Sequence, residues 1–447
     1  MNEDILAKYE ARRLPRYTSY PTAPHFGVEV DSNVYRRWLE ELPAGISGSL
    51  YIHIPFCNEL CLYCGCHTNV AHRYESVSQY RELLATEISK VGQHVGDALE
   101  IQSLHWGGGS PTILRPEDFL TLTDALRKTF RFAVDAETAI EIDPRTFTRD
   151  RAEALGQAGV TRASIGVQSF APAVQRAVRR VQSLADTQRV VEWLRAAGVA
   201  RFNVDLMYGL PHQTVRDTTE SAIAALTLDP DRIALFGYAH VPWMKRHQAL
   251  LPEESLPGAG ERRRQFEEAA SVFVGAGYVR IGFDHFAKPD DPLASRGSRL
   301  RRNFQGFTTD EAPALIGLGA SAISSLPQGY AQNVSSVAAY RKALAAGWLA
   351  TARGVALTDE DRLRRDVIER LMCDLSVDLG AVCDMHGVDL SVFSIELESV
   401  AALARDGVAS LSGARISISE GVRGLARVVG AVFDARLTQA GRHAPVA

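Results

Sequence analysis

Long apolar runs, a strong net charge and dispersed cysteines are all absent from this sequence of 447 residues. A membrane-spanning helix needs roughly 18 or more uninterrupted apolar residues. The most apolar candidate, residues 314–323, is short and interrupted by Gly317 and Gly319. A net charge of −4 argues against a bulk nucleic-acid binder, and the first residues lack the apolar segment of a secretory signal. We therefore expect a cytoplasmic protein with no membrane span and no nucleic-acid partner.

Cysteine is scarce and unevenly placed. The chain has only six cysteines, and Cys57, Cys61, Cys64 and Cys66 lie close together in one segment. A disulfide framework instead spreads its pairs over a small secreted chain. A single tight cluster in a reducing compartment indicates a metal site. The two distant cysteines, at positions 373 and 383, are interpreted as buried packing residues.

From about residue 48, short β-rich runs alternate with longer amphipathic stretches. The predicted strands cover residues 49–55, 101–106, 139–142, 162–166, 202–207 and 232–237. The helices predicted between them include residues 76–91, 116–130, 149–158 and 184–197. This alternation predicts a parallel sheet with helical crossovers. The expected fold class is α/β, a partial (β/α)6 TIM-like barrel with its chemistry at the C-terminal ends of the strands.

Three domains are predicted along the chain. Residues 1–35 have no clear period and form an irregular N-terminal arm over the active site, and residues 36–355 form the barrel with an extension. Residues 356–447 form a small, mostly helical, winged-helix-like domain, with helices at 361–373, 390–404 and 421–437 and a hairpin at 407–419. A DNA-binding role is disfavoured because this last domain has a negative net charge, with 10 arginines and no lysine against 14 acidic residues.

The segment that carries the chemistry follows the first predicted strand and holds Cys57, Cys61 and Cys64. Iron–sulfur clusters are held by cysteine thiolates, usually four. The spacing lets one loop bind three irons of a cubane, and the fourth iron then needs another ligand. An open metal position is typical of a reactive site. A structural zinc site completed by His67 or His53 is the alternative, although such sites usually use two separated cysteine pairs.

The Cys-x3-Cys-x2-Cys spacing after a first barrel strand resembles the radical S-adenosylmethionine (SAM) superfamily. The resemblance implies that Cys57, Cys61 and Cys64 hold one [4Fe–4S] cluster whose remaining iron binds SAM. It also implies that the reduced cluster cleaves SAM to a 5′-deoxyadenosyl radical. Such chemistry needs a low-potential cluster shielded from water and oxygen, which is consistent with the mouth of a barrel.

More of the chain resembles one family within that superfamily, the oxygen-independent coproporphyrinogen III oxidases. The matching segments are residues 16–22, 64–66, 105–112, 141–145, 166–170, 205–211, 285–291 and 303–309. The arm, the extra Cys66 and the 303–309 run discriminate most, since relatives share the barrel motifs. The resemblance implies an oxidoreductase of heme biosynthesis that decarboxylates two propionates of coproporphyrinogen III anaerobically, giving protoporphyrinogen IX. It also implies an external electron donor and an electron acceptor that the sequence does not identify.

The resemblance assigns cofactor-binding residues, most of them on successive strand ends. Those implied for a first SAM are Tyr51, Gly108, Gly109, Ser110, Glu141 and Ile323. Those implied for a second SAM are Tyr63, Gln168, Arg180, Asp205 and Ala239. Taken singly, each residue type is more often structural than functional. Phe304 and Gln305 are further candidates near the second SAM.

The substrate carries four propionates and needs cationic groups to dock. We expect Arg12, Arg13 and Arg16 of the arm to supply them, closing over the site and excluding water. The alternative is ordinary surface charge. We expect a monomer. Two rival functions share the barrel and cluster: a heme-binding chaperone, and a radical SAM methylase or heme-degrading enzyme.

Overall fold

One twelve-stranded sheet organises the chain, as seen in a computed structural model that describes residues 3–295, 300–437, 443–444 and 446. The predicted domains extend over residues 1–2, 296–299, 438–442, 445 and 447, which lie outside the described residues. Six consecutive parallel strands form the barrel wall: Ile46–Ile54, Leu99–Gly108, Arg131–Ile142, Arg162–Gln168, Arg201–Tyr208 and Arg232–Gly237. The predicted α/β barrel of six repeats is confirmed.

Helices cover the barrel wall between the strands. They are Tyr74–Val95, Pro116–Thr129, Arg149–Gln157, Pro172–Ala177, Leu184–Ala196, Val215–Leu226 and Ala259–Gly275, with a short 3-10 turn Pro111–Ile113. Two of them begin with a reciprocal capping box, Ser183 with Asp186 and Thr214 with Asp217. Each box satisfies backbone donors that the first helical turn leaves unpaired. The third strand begins earlier than predicted, at Arg131. Its first half is exposed or only partly buried and lacks the apolar pattern by which a strand is predicted.

The sheet continues past the six predicted strands on both sides. Ala314–Leu318 pairs parallel to the first strand, and three antiparallel strands follow it: Ile323–Leu326, Gly329–Asn333 and Thr351–Ala356. His285–Ala287 and Val279–Ile281 extend the other edge, and Arg301–Asn303 with Gly306–Thr308 forms a separate hairpin. The apolar run 314–323 is therefore a buried strand and the turn after it. Among the described residues, no helix is both long and apolar enough to cross a membrane.

Short helices connect these outer parts of the structure. They are the helices Ser32–Glu40 and Val337–Ala345 and the 3-10 turns Ala23–His25, Arg246–Leu250, Glu253–Ser255 and Pro292–Ala294.

The C-terminal part combines helices with a three-stranded sheet, as the winged-helix-like prediction requires. Its helices are Asp359–Asp374, Leu379–His386, Ser394–Arg405 and Ala426–Gly430, with 3-10 segments Leu390–Phe393, Glu420–Leu425 and Ala431–Phe433. Its strands are Ser376–Asp378, Ser410–Ser412 and Arg415–Ser417. The single long helix predicted over 421–437 is wrong, since short helical segments with a kink at Val422 replace it. The helix Leu379–His386 was not predicted.

The N-terminal arm is more ordered than predicted. Residues Glu3–Glu10 form a helix, so the irregular reading is wrong for this stretch. Tyr9, Leu14, Tyr17 and Tyr20 are buried in one apolar cluster with the C-terminal helices. The arm therefore shares a hydrophobic core with the C-terminal part, while the barrel has a separate core of its own.

Candidate active site

The loop that carries the cysteines, here called the thiol loop (residues 56–70), follows the first barrel strand. A short parallel pair, Phe56–Cys57 with Asn69–Val70, closes it at its base. The Thr68 hydroxyl donates to Cys57 Sγ at 3.2 Å. Burial raises the pKa of the Cys57 thiol to about 11. All six cysteines are free thiols, so the cluster prediction has its three ligands available on one loop.

A segment after the sixth strand, residues 241–248, holds the thiol loop through side-chain hydrogen bonds. Three of its side chains donate to loop carbonyls: Lys245 Nζ to residue 66 at 2.8 Å, His247 Nε2 to residue 64 at 2.8 Å and Gln248 Nε2 to residue 63 at 2.9 Å. Gln248 is fully buried, and its Oε1 accepts from the amide of Val241 at 2.6 Å. Residues far along the chain thereby fix the loop. The sequence gives no motif for this contact, and these residues were not predicted.

Two guanidinium groups approach one thiol. Arg145 Nη2 lies 3.5 Å and Arg180 Nη1 3.6 Å from Cys61 Sγ. Both also pair with Asp143, at 2.6 Å and 3.2 Å. Burial opposes ionisation of Asp143, but the Arg180 and Arg145 guanidiniums hold its pKa below the usual value. A cluster-bound thiolate here would lie beside two positive charges, which stabilise its negative charge. Arg145 lies in a segment that the resemblance marked, although no role was predicted for it.

The strand ends beside the loop bring together several predicted SAM residues. Glu141 Oε2 accepts from the amide of Gly108 at 3.2 Å, and its Oε1 lies 3.3 Å from His105 Nε2. The Tyr51 hydroxyl is 3.0 Å from His53 Nδ1, and burial raises its pKa well above the usual value. These groups form one polar cluster on the first three strands. A carboxylate and backbone N–H groups in such a place suit an amino-acid moiety.

The glycines at the end of the second strand are required by their neighbours. Gly108 has φ +118°, and a Cβ there would lie 2.8 Å from the His53 ring. A Cβ on Gly109 would lie 2.5 Å from the Phe56 carbonyl oxygen and 2.5 Å from Thr68 Oγ1. The missing side chains therefore allow the thiol loop to pack against the second strand.

Ser110 continues this turn. It is buried, and its amide donates to the Phe56 carbonyl at 2.8 Å. Its hydroxyl is 3.4 Å from Thr112 Oγ1. Ile323 lies near the same region. Its backbone packs closely on Gly317, where a Cβ would lie 2.5 Å from the Ile323 carbonyl oxygen, and Gly317 pairs with Tyr51 in the sheet.

A second polar group lies on the fourth and fifth strands. Asp205 accepts from Ser164 Oγ at 2.9 Å and from Asn203 Nδ2 at 2.7 Å. Burial raises the pKa of Asp205 to about 6. Gln168 ends the fourth strand in the left-handed region, with φ +68°. Its amide and the Arg180 guanidinium both lie close to Gly166.

The remaining predicted SAM residues lie at the edges of these groups. Ala239 follows the sixth strand and directly precedes residues 241–248, the segment that contacts the thiol loop. Burial raises the pKa of the Tyr63 hydroxyl well above its usual value, and the Arg180 charge opposes this. Its backbone carbonyl is the one that Gln248 holds.

The three arm arginines are placed differently. Arg16 Nη2 donates to the carbonyl of Gly237 at 2.9 Å, at the end of the sixth strand. Arg13 lies 5.7 Å from the centre of the Trp243 ring. Arg12 is exposed. The structure thus brings one of the three predicted docking residues to the barrel mouth.

Arg16 lines a cavity of about 220 Å³, here called the arginine cavity, beside the ends of the fifth and sixth strands. Phe304 and Gln305 lie on its wall. Arm, barrel and C-terminal part all contribute lining residues, so the site is built from all three.

The cysteine thiols of the thiol loop are suitable ligands for the expected [4Fe–4S] cluster. Cys57 interacts electrostatically with both Cys61 and Cys64, so both thiols lie near it. Within the described part of the chain, no three cysteine, histidine or acidic side chains converge on one point as a single metal ion requires. A cubane instead takes each thiol on a different iron. The donor set therefore suits a cluster held by three thiolates.

Comparisons with known proteins agree with this geometry. The Radical SAM superfamily profile matches residues 51–223. The oxygen-independent coproporphyrinogen III oxidase of Bradyrhizobium diazoefficiens is 49% identical over 439 residues, covering 98% of each chain. That of Paracoccus denitrificans is 44% identical and covers 94% of each chain. The solved structure of coproporphyrinogen III oxidase from Escherichia coli, described as a radical SAM enzyme, matches with a TM-score of 0.90 at 35% identity, covering 95% of this chain and 100% of that one.

Proposed function

Because the chain belongs to the oxygen-independent coproporphyrinogen III oxidases of the radical SAM superfamily, we propose that it converts coproporphyrinogen III to protoporphyrinogen IX without oxygen. It is a radical SAM oxidoreductase of heme biosynthesis. In each of two propionate side chains, the β-carbon loses a hydrogen atom and the carboxylate leaves as carbon dioxide. One further electron passes to an external acceptor, and a vinyl group remains.

The observation that carries this proposal is the thiol loop at the mouth of the barrel. Cys57, Cys61 and Cys64 would hold one [4Fe–4S] cluster, which, when bound with SAM and reduced by an external donor, supplies the 5′-deoxyadenosyl radical. The chain's own contribution is to fix the loop and keep water away from the radical. Burial of the loop's base and the contacts from residues 245–248 support this role.

A first SAM would bind on the first three strands. Glu141 would accept from the methionine amino group, and the backbone at Gly108, Gly109 and Ser110 would line the amino-acid end. The remaining members of this set are Tyr51 and Ile323. The cluster of Glu141 with the Gly108 amide supports the assignment, because it already places an acceptor beside a glycine turn.

A second SAM would bind on the fourth and fifth strands, with Asp205 accepting from ribose hydroxyls and Gln168 at the strand end. Tyr63, Arg180 and Ala239 complete this set. Asp205 supports the proposal, since hydrogen bonds from Ser164 and Asn203 fix its carboxylate on the fifth strand. Arg180 already pairs with Asp143 and Cys61, so we propose that it links this second site to the thiol loop.

We propose that the enzyme acts in the cytoplasm as a monomer. Six free thiols suit a reducing compartment. Light scattering of the purified protein measures the oligomeric state directly, and a stable dimer would contradict this part of the proposal.

The test is an anaerobic assay of the reconstituted, dithionite-reduced protein with SAM and coproporphyrinogen III, followed by mass spectrometry. We expect protoporphyrinogen IX together with 5′-deoxyadenosine and methionine. If 5′-deoxyadenosine forms without decarboxylation, the substrate assignment is wrong and a methylase or heme-degrading activity takes its place. If neither forms with a loaded cluster, the heme-chaperone function replaces the proposed one.

A further inference from the structure

The arginine cavity carries more positive charge than its carboxylates neutralise. Five arginines and three carboxylates line it. Glu10 lies 3.3 Å from Arg263, which lines the same cavity, and Glu267 lies 2.9 Å from Arg280, which does not line it. The third, Asp284, lies 2.6 Å from His285. Even when all three carboxylates are counted, the described lining residues keep a surplus of two positive charges.

Arg302 is buried without full compensation. Its side chain is 6% exposed, and its closest carboxylate among the described residues is Asp284 at 3.9 Å. Its guanidinium lies between the rings of Phe283 and Phe307, 4.5 Å from each centre. Its Nε and Nη1 are buried with no hydrogen-bond acceptor in the described part of the chain. Such a group is costly unless a ligand supplies the acceptor.

Arg262 and Arg16 face the same space. Each donates one hydrogen bond to a backbone carbonyl, Arg262 to Tyr238 and Arg16 to Gly237, both at 2.9 Å. No ion pair joins either to a carboxylate of the described residues. Arg16 is exposed, so its guanidinium remains accessible to a ligand. Burial lowers the pKa of Arg262, and this position therefore favours an anion that restores the lost solvation.

A separate contact fixes the arm so that Arg16 reaches this place. Arg427 Nε donates to the Pro15 carbonyl at 2.9 Å, and its Nη2 donates to the Leu14 carbonyl. These contacts join the arm to the C-terminal part directly before Arg16. The position of Arg16 is therefore preorganised.

The size and walls of the cavity point to part of a large, amphipathic ligand. Its volume of about 220 Å³ is below the roughly 300–1,000 Å³ of sites that enclose a whole drug-sized ligand. Aromatic rings, including Tyr208, Phe236 and Phe266, line it between the guanidiniums. It suits carboxylates on short chains, attached to a ring system that lies outside, towards the barrel mouth.

We propose that the arginine cavity binds propionate groups of the porphyrinogen substrate, with Arg16, Arg262 and Arg302 as carboxylate-binding residues. This inference rests on the proposed function. Neither Arg262 nor Arg302 stands out in the sequence, because the two lie on a helix and a hairpin that only the fold brings together.

The test compares Arg262→Gln and Arg302→Gln with wild type and with Arg264→Gln. Arg264 is the matched control, since it lies on the same helix, is 65% exposed and pairs with Glu261. Cluster-loaded protein without SAM is equilibrated anaerobically with coproporphyrinogen III. The unbound fraction after ultrafiltration is oxidised and measured by porphyrin fluorescence.

We expect each cavity variant to bind about ten-fold more weakly or worse, since hydrogen bonds to charged groups carry that much. The control should match wild type, and iron content and melting temperature establish that the variants fold. Arg302→Lys, which keeps the charge, should bind more tightly than Arg302→Gln. Raising the salt concentration should weaken wild-type binding more than binding by the cavity variants.

Unchanged affinity in both folded glutamine variants overturns the inference. If Arg302→Gln alone fails to fold, Arg262→Gln decides the question. Failure of the proposed function is distinguishable, because wild type itself would then neither bind nor convert coproporphyrinogen III. If wild type converts coproporphyrinogen III and the variants bind it with unaltered affinity, the proposed function stands. Only the role of the cavity in substrate binding is then wrong.

Discussion

The two sides of the barrel mouth differ in charge and in the way their side chains are held. On the side of the first three strands lie thiols, Glu141 and a loop whose carbonyls accept hydrogen bonds from side chains. On the side of the last two strands lie guanidinium groups with few carboxylate partners. The arginines near the thiols on the first side, Arg145 and Arg180, are paired with Asp143. Such a fixed arrangement suits a radical, which must be kept from water. A cationic side suits a polyanionic substrate, which must be drawn in and oriented. The reaction thus uses one barrel mouth for two different electrostatic tasks.

Removal of a cluster ligand should have the largest effect. Cys61→Ser should lose the cluster and all activity, because three thiolates are the minimum donor set. Iron content, electron paramagnetic resonance and 5′-deoxyadenosine formation measure the loss. Cys383→Ser, a buried cysteine of the C-terminal part, is the control and should retain both cluster and activity. A Cys61→Ser protein that still cleaves SAM would contradict the ligand assignment.

The arm can be tested by reversing charge on the cationic side. Arg16→Glu should weaken coproporphyrinogen III binding by roughly ten- to a hundred-fold, since it replaces an attractive charge with a repulsive one. Arg12→Glu makes the same change on the same arm, at a residue that does not line the arginine cavity, and should have little effect. Equal losses in the two variants would favour a general surface effect over a defined contact.

A smaller effect is expected from loss of the contact between Gln248 and the thiol loop. Gln248→Ala removes a buried side chain that bonds the Tyr63 carbonyl and the Val241 amide. Iron release to a chelator should become roughly five- to a hundred-fold faster, because each lost contact leaves a buried backbone group unpaired. Gln93→Ala, on the exposed face of a barrel helix, serves as control. Release at the wild-type rate would show that the loop does not depend on this contact.

The last prediction concerns stability rather than catalysis, at a buried acid behind the first strand. Glu87 accepts from Tyr340, Asn333 and the Gly319 amide, and burial raises its pKa from 4.5 to about 7. The folded state therefore binds this proton more tightly than the unfolded state does. The resulting stability is present below pH 4.5 and is lost as pH rises to about 7, at about 1.4 kcal/mol per pKa unit.

Glu87→Gln should flatten this part of the pH dependence. Melting temperature followed from pH 5 to pH 8 tests the prediction. Glu82→Gln lies on the same helix with a 67% exposed side chain and should keep the wild-type profile. The same profile in both variants would exclude Glu87 as its source.

Sequence reasoning succeeded where spacing along the chain is itself the signal. The thiol loop and the six strands were identified because cysteine spacing and alternating periodicity are local properties. Reasoning failed for the arm, whose helix Glu3–Glu10 is too short to give a clear period and is stabilised by packing on the C-terminal part. It also missed Gln248 and Arg302, which carry no motif and act across large sequence separations.

The family, the fold class and the grouping of the three thiols follow from the amino-acid sequence, because they depend on covalent spacing and on patterns within one segment. Which arginines share a cavity, and which side chains hold the thiol loop, depends on the folded structure. Arg16, Arg262 and Arg302 come from an arm, a helix and a hairpin far apart in the chain. Their charges meet only because the folded barrel, arm and C-terminal part close around one space, and no local pattern encodes that meeting.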